Sequence, residues 1–403
     1  MTAIAYESAA ERRGANVARL FVIATISFLT LVDLFATQAI LPSLARAYDV
    51  SPAMMGTAVN LCTAGMAAAG LLVALFNKRI NRRWGVAASL ALLAIPTALL
   101  ALMPDLGTFA ALRLIQGIFM SAAFSLTIAY LAENAAPHEV AAALAAYVTG
   151  NVASNLFGRL MSAAIADHLG LPANFAIFAS LNLAGALVAF FALRHTRPMQ
   201  EMARPIGEAA WTYAFRQRHL AASFGIGFLI LFAFIGTFTY VNFVLVRPPL
   251  DLSPMQLGFV YFVFVPSIIL TPLAGHVARR FGSRRTIIAS LGLAALALPM
   301  LLAMKLALVL AGLALVAAGT FFAQATATGF VSRTAGQARG SAGGIYLASY
   351  YAGGLAGSIV LGRIFDQLGW PATVAAIAVS LVIGCLLALH LREPHDSAAI
   401  SDS

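Results

Sequence analysis

Charge is what this sequence lacks most. Only 10% of its 403 residues are Asp, Glu, Lys or Arg, and the acids number 15, whereas soluble globular domains carry roughly a quarter charged residues. With 61% hydrophobic residues and a mean hydropathy of +0.89, the chain falls outside the soluble class. Cysteine is nearly missing as well. Cys62 and Cys385 lie in separate apolar stretches far apart in sequence, so they read as small buried side chains and not as a disulfide or a metal pair. The sequence has no phosphate-cradling GxxxxGK[ST] loop and no His/Cys/Asp cluster at metal-ligand spacing, and nothing in it reads as an enzyme.

What the chain has in abundance is long apolar runs, each about the 20 residues needed to cross a hydrocarbon core of roughly 30 Å. Twelve can be drawn: 19–45, 52–76, 84–103, 107–132, 138–168, 171–193, 219–247, 253–279, 285–303, 305–332, 338–367 and 370–391. They are apolar throughout, whereas the strands of a membrane barrel alternate, so the reading is an all-α membrane protein with twelve transmembrane helices. The first run is no cleaved signal: it is too long, it contains Asp33, and no small-residue cleavage site follows.

The net charge of +10 does not point to nucleic acid. Basic residues gather in alternate loops, such as Lys78 to Arg83 and Arg279 to Arg285, while Arg46, Arg247 and Lys305 fall in the opposite ones. This asymmetry predicts both termini in the cytoplasm of a bacterial inner membrane, with anionic lipid headgroups as the partner of the basic loops.

The stretch from Arg194 to Arg218 is the longest interior segment that is not apolar, and its prolines and charges mark a linker. It predicts a first six-helix bundle over 1–193, a cytoplasmic linker over 194–218 and a second bundle with a short tail over 219–403. The halves repeat one another. Asp49-Val50-Ser51-Pro52 returns as Asp251-Leu252-Ser253-Pro254, and Asp167, Leu169, Gly170 and Pro172 return as Asp366, Leu368, Gly369 and Pro371. In each repeat the Ser or the Asp can cap the second helix of its half, with Pro in the first turn.

GHVARRFGSRR (275–285) and Arg113-Leu114-Ile115-Gln116-Gly117 resemble, respectively, the loop motif G-x-L-A-D-R-x-G-R-[RK] and the fourth-helix R-x-x-Q-G of the major facilitator superfamily. Asp33 followed by Leu41-Pro42 resembles the first helix of its proton-driven drug-export branch. The resemblance implies two pseudo-symmetric six-helix bundles that alternate access to a central site. Two departures stand out. A base, Lys78 or Arg279, replaces the loop-motif acid in each half, and the fifth helix, YVTGNVASNLFGRL (147–160), lacks the Gly-Pro of the drug antiporters.

Asp33, in TLVDLFATQ, is the one acid near mid-membrane, about 14 residues from Arg19 and about 12 from Ala45 at 1.5 Å each. An acid at that depth is costly and is by default a functional candidate, here a proton carrier. Thr30 and Thr37 share its helical face. A nearby cation would favour the ionised form, and Arg113 is the candidate. In the resulting cycle, substrate or a conformational change weakens an Asp33–Arg113 interaction, Asp33 takes a proton from outside, and re-pairing expels it inward. The alternative is a buried pair that only specifies helix packing.

Gln38, Gln116, Tyr240, Asn242, Gln324, Tyr346 and Tyr350, together with Thr30 and Thr37, are the candidate substrate-binding residues, suited to an amphipathic organic compound. Each could instead bridge helices. Arg159 has no local partner and is expected to snorkel to the outer interface or to touch an anionic substrate, while Arg363 and Asp366 are spaced as a structural pair. Lys78, Arg79, Arg82, Arg83, Arg279, Arg280 and Arg284, with Glu133, form a candidate cytoplasmic gate; a solvated, topology-setting role explains the same charges. The expected activity is proton-coupled export of a small organic substrate by a monomer that uses the proton gradient and no cofactor. Uptake or uniport, or a membrane sensor without transport, are the other readings.

Overall fold

A computed structural model describes residues 2–76, 80–134, 140–193, 217–335 and 339–392. The linker expected over 194–218 and the tail after residue 392 lie almost wholly outside the described residues. Among the described residues every regular element is helical. The first half contains α1 (Thr2–Ala39), α2 (Leu41–Ala47), α3 (Pro52–Phe76), α4 (Arg82–Leu100), α5 (Leu106–Asn134) and α6 (Val140–Ala192). The second contains α7 (Arg218–Leu245), α8 (Pro254–Val260), α9 (Val265–Leu270), α10 (Ala274–Phe281), α11 (Ser283–Ala297), α12 (Leu306–Thr334) and α13 (Arg339–Ala388). Helix is the expected solution for an apolar chain in lipid, because each backbone donor then finds its acceptor within its own segment.

At 53 and 50 residues, α6 and α13 are too long for one crossing. Each bends sharply at a glycine with left-handed φ, Gly170 (φ 85°) and Gly369 (φ 78°), a conformation that side chains resist, with Pro172 and Pro371 just beyond. Among the described residues ten helical stretches are long and apolar enough to span a membrane, and counting the two bent ones twice accounts for twelve crossings. Three expected crossings are not continuous α-helix, the ninth because it ends in a 3₁₀ turn at Leu298–Leu302. The first breaks at Ile40, before Pro42. The eighth tightens into 3₁₀ turns at Tyr261–Phe264 and Thr271–Leu273, where Pro266 and Pro272 each withhold a backbone donor.

The sequence repeat is also a conformational repeat. Asp49 and Asp251 both adopt positive φ, at 50° and 42°. The serine after each caps the next helix: Ser51 Oγ accepts from Met54 N–H at 3.3 Å, and Ser253 forms a capping box with Gln256. Equivalent helices also pack alike. α1 lies against the first arm of α6, where Gly150 meets the Ala24 carbonyl, and α7 lies against the first arm of α13, where Gly353 meets that of Phe228. Such backbone contact is available to small residues only. The halves meet where α3 runs along α13 and where α6 faces α8 and the 261–264 turn.

Candidate functional site

Asp33 is buried in the first half at 2% exposure. Its Oδ2 accepts from Asn182 Nδ2 on the second arm of α6 at 2.7 Å and lies 2.9 Å from Thr97 Oγ1 on α4. Thr97 Oγ1 is also 2.8 Å from the Leu93 carbonyl, so its single proton serves one acceptor at a time. Gln116 Nε2 donates to the same hydroxyl at 2.6 Å. Asp33 Oδ1 has no partner.

Arg113 joins this cluster but does not pair with the carboxylate. Its Nη1 donates to Gln116 Oε1 at 2.6 Å and to the backbone carbonyl of Asp33 at 3.4 Å, Nε to the Val59 carbonyl at 2.9 Å, and Nη2 to Cys62 Sγ at 3.2 Å. The direct Asp33–Arg113 contact anticipated from sequence is therefore replaced by a chain that runs Asp33, Thr97, Gln116, Arg113. The fourth-helix motif explains the placement. A side chain at Gly117 would strike the Cys62 carbonyl, so glycine brings α5 close enough to α3 for Arg113 to reach the backbone and thiol there. Cys62 is thus a buried hydrogen-bonding partner as well as a small side chain.

A second polar group lies between this cluster and the end of the bundle opposite the termini, and it joins the halves. Gln38 Nε2 donates to Asn60 Oδ1 at 2.9 Å, and Asn60 Nδ2 reaches Thr239 Oγ1 at 3.1 Å and Ser358 Oγ at 3.3 Å. Asn242 Nδ2 donates to the Gln38 carbonyl at 2.9 Å and its Oδ1 accepts from Tyr261 at 2.7 Å. Nearer that end, the Ala53 N–H is 3.3 Å from both carboxylate oxygens of Asp366. Asp366 therefore caps a helix of the opposite half, a role the expected pairing with Arg363 did not foresee.

Arg159 is not at the membrane interface. It is fully buried, its Nη2 donates to Gln38 Oε1, and its guanidinium stands 4.4 Å from the ring centre of Tyr261, 4.9 Å from Phe264, 5.4 Å from Phe35 and 5.7 Å from Phe238. Snorkelling is ruled out by this enclosure, which turns the guanidinium into the bundle and away from its end.

The other candidates have more local roles. Thr30 and Thr37 donate to carbonyls of their own helix, those of Ile26 and Asp33, and so form no open polar face. Tyr240 donates to the Ser358 carbonyl and stacks on Phe365, bridging α7 to α13. Tyr346 and Tyr350 are buried and stacked, with ring centres 6.3 Å apart. Gln324 is half-buried on α12. Of the gate residues, Arg83 Nε donates to the Phe190 carbonyl at 2.6 Å and Arg82 Nη1 to that of Ile80 at 3.0 Å, both within the first half. Arg279, Arg280 and Arg284 are exposed. Lys78 and Arg79, like the side chain of Glu133, lie outside the described residues.

Sequence reasoning passed over Thr97, Asn182 and Asn60. Each is a lone uncharged polar residue in an apolar run, a weaker signal than a charge, although an isolated Asn at mid-span was legible.

Two repeated halves of membrane-spanning helices in parallel orientation are the architecture of a parallel-repeat membrane transporter. The model for the Major Facilitator Superfamily matches residues 23–265 and 247–403, and the chain belongs to that family: it is a multi-pass membrane transporter. Its relatives include the inner membrane transport protein YnfM of Escherichia coli K12, 28% identical over 366 residues (90% of this chain and 88% of the relative). An uncharacterised MFS-type transporter of Bacillus subtilis 168, YybF, is 24% identical over 385 residues (94% and 95%). Among solved structures, a bacterial homologue of the human lysosomal transporter Spinster, inward-facing and unoccupied, superposes with a TM-score of 0.71 at 16% identity (93% and 94%). A mutant of the nucleoside transporter NupG gives 0.73 at 15% (93% and 99%).

Proposed function

We propose that this transporter exports a small organic compound in exchange for protons, with Asp33 as the proton carrier. The observation that carries this reading is the setting of the Asp33 carboxyl. It is buried, held by two neutral donors, and left with one oxygen unpartnered. A carboxylate neutralised by an adjacent guanidinium would hold its charge firmly, whereas one held by an amide and a hydroxyl can gain or lose a proton with little rearrangement. Thr97 suits both forms: its proton points to Asp33 when the acid is ionised and to the Leu93 carbonyl when the acid is protonated and itself donates.

Arg113 acts at one remove, through Gln116 and Thr97, so a shift of α5 that accompanies substrate movement alters what Asp33 experiences. The termini face the cytoplasm of a bacterial inner membrane, as the basic loops favour, and anionic lipids meet those loops. In that orientation the polar seam closes the outer side. The protein works as a monomer without a cofactor, driven by the proton gradient.

The test is proton release by purified protein at weak buffering, with wild type and Asp33→Asn compared across lipophilic cations, sugars and organic acids. Release by one class in wild type, lost in the variant, supports exchange through Asp33. Binding without release in either protein refutes it and favours uptake or uniport, which the absent Gly-Pro of the fifth helix also suits. A protein that binds no solute would point to a sensor.

A further inference from the structure

The first arm of α6 carries polar groups that neither half answers. Asn155, Arg159 and Ser162 follow one another at spacings of four and three, which puts them on one helical face. All three are buried, at 1%, 0% and 0% exposure. Both amide atoms of Asn155, Nε and Nη1 of Arg159, and Oγ of Ser162 lack hydrogen-bond partners. Buried polar groups are normally paired, and a buried cation most of all, so a face with this many open donors points to a partner that the chain does not supply.

The chemistry of that partner follows from what surrounds the guanidinium. The rings of Tyr261, Phe264, Phe35 and Phe238 surround it with centres 4.4 to 5.7 Å away, and Nε and Nη1 are its nitrogens left without an acceptor. A buried guanidinium N–H without an acceptor suits a charge-assisted hydrogen bond to a carboxylate oxygen. A single free cation suits a monoanion, and the rings suit an apolar or aromatic body.

We propose that the open N–H groups of Arg159, with Asn155 and Ser162 beside them, receive the carboxylate of the transported solute, an organic monocarboxylate with an apolar body. Phe35 belongs to the first half, whereas Phe238, Tyr261 and Phe264 belong to the second. The parting of the halves required by alternating access therefore uncovers the cation, and closure buries it again. This inference rests on solute transport but not on proton coupling.

To test it, the full-length protein in lipid nanodiscs is titrated with hexanoate, benzoate, phenylacetate and 2-naphthoate, and with the matching amides, while thermal unfolding is followed. Strong buffer at fixed pH removes any signal from proton release, so this result stands apart from the Asp33 assay. The expected result is that at least one acid binds about tenfold or more tightly than its amide, that Arg159→Gln abolishes the preference, and that Arg159→Lys weakens it. Acids and amides that bind alike, no binding of any acid by folded wild type, or a preference that survives Arg159→Gln would overturn the proposal. Should Arg159→Gln fail to fold, Asn155→Ala and Ser162→Ala decide by the same comparison: weaker acid preference in either supports it, and an unchanged preference in both overturns it.

Discussion

The two halves repeat one another in sequence and in helix packing, yet their interiors differ in chemistry. The first half encloses a hydrogen-bonded chain of Asp33, Thr97, Asn182, Gln116 and Arg113. The second encloses rings. Phe234, Phe238, Phe264 and Phe321 pack with centres 4.7 to 5.9 Å apart, and Tyr346, Tyr350 and Tyr351 follow on α13. α7, the counterpart of α1, carries no acid along Arg218–Leu245. The contrast teaches that a repeated backbone leaves the side chains free to differ: a buried polar chain on one side, a cluster of rings on the other. Arg159 lies where the two chemistries touch, rooted in the first half and facing rings of the second.

The largest expected effect breaks this contrast at its centre. Asp33→Asn keeps the shape and the hydrogen bonds of the carboxyl but cannot ionise, and it should reduce substrate-driven proton release to background with thermal stability close to wild type. Loss of release together with loss of folding would instead make Asp33 a packing residue.

The next effect tests what the halves share. Gly353→Val drives a branched side chain into the Phe228 carbonyl, and Gly150→Val does the same to that of Ala24. Each should destabilise the protein by about 3 kcal/mol or more, as overpacking does. Similar falls in unfolding midpoint are expected for both. A fall in one alone would mean that the pseudo-symmetry of the backbone does not extend to its energetics.

A smaller effect separates the interiors again. Thr97→Val removes a hydroxyl that links Asp33 to Gln116, whereas Thr326→Val on α12 removes one that bonds only the Phe322 carbonyl of its own helix. The first should cost about 1 kcal/mol and impair proton release. The second should change both little. Equal effects would imply that the polar chain has no more value than any helix-side hydroxyl.

Much of this was legible in sequence because it follows from coarse physics. Apolar length gives the crossings, and the recurrence of Asp-x-Ser-Pro and of Asp-x-Leu-Gly-x-Pro gives the repeat, since those residues impose the caps and the left-handed glycine bends. Asp33 stood out because a charge at mid-membrane is rare. Its partners did not: Thr97 and Asn182 reach it from helices remote in sequence, and a lone Thr or Asn in an apolar run resembles many others. Of the two readings of Arg159, snorkelling failed because depth along a helix does not tell which way a long side chain turns, and here four rings from three segments of both halves draw it inward.

The smallest effect concerns how equivalent helices begin. α4 and α5 of the first half are capped by side chains, Asn81 accepting from the Trp84 N–H and Asp105 from those of Gly107 and Thr108. Their counterparts α11 and α12 start at Gly282 and Lys305 with no side-chain cap. Lys305 also puts a cation where the helix dipole favours an anion. The Thr108 hydroxyl, then the Thr108 and Gly107 N–H groups, hold the Asp105 carboxyl below the usual carboxylate range. A carboxyl depressed in the folded state stabilises above its unfolded value, near pH 4, and loses that contribution as pH falls through the folded one. Asp105→Ala should therefore lower the unfolding midpoint slightly at pH 7, with the deficit shrinking at more acidic pH. Lys305→Asp should raise the midpoint at pH 7 and lose the gain on acidification. If Lys305→Asp leaves it unchanged at every pH, the second half owes nothing to its missing cap, and its stability rests on the packing of its rings.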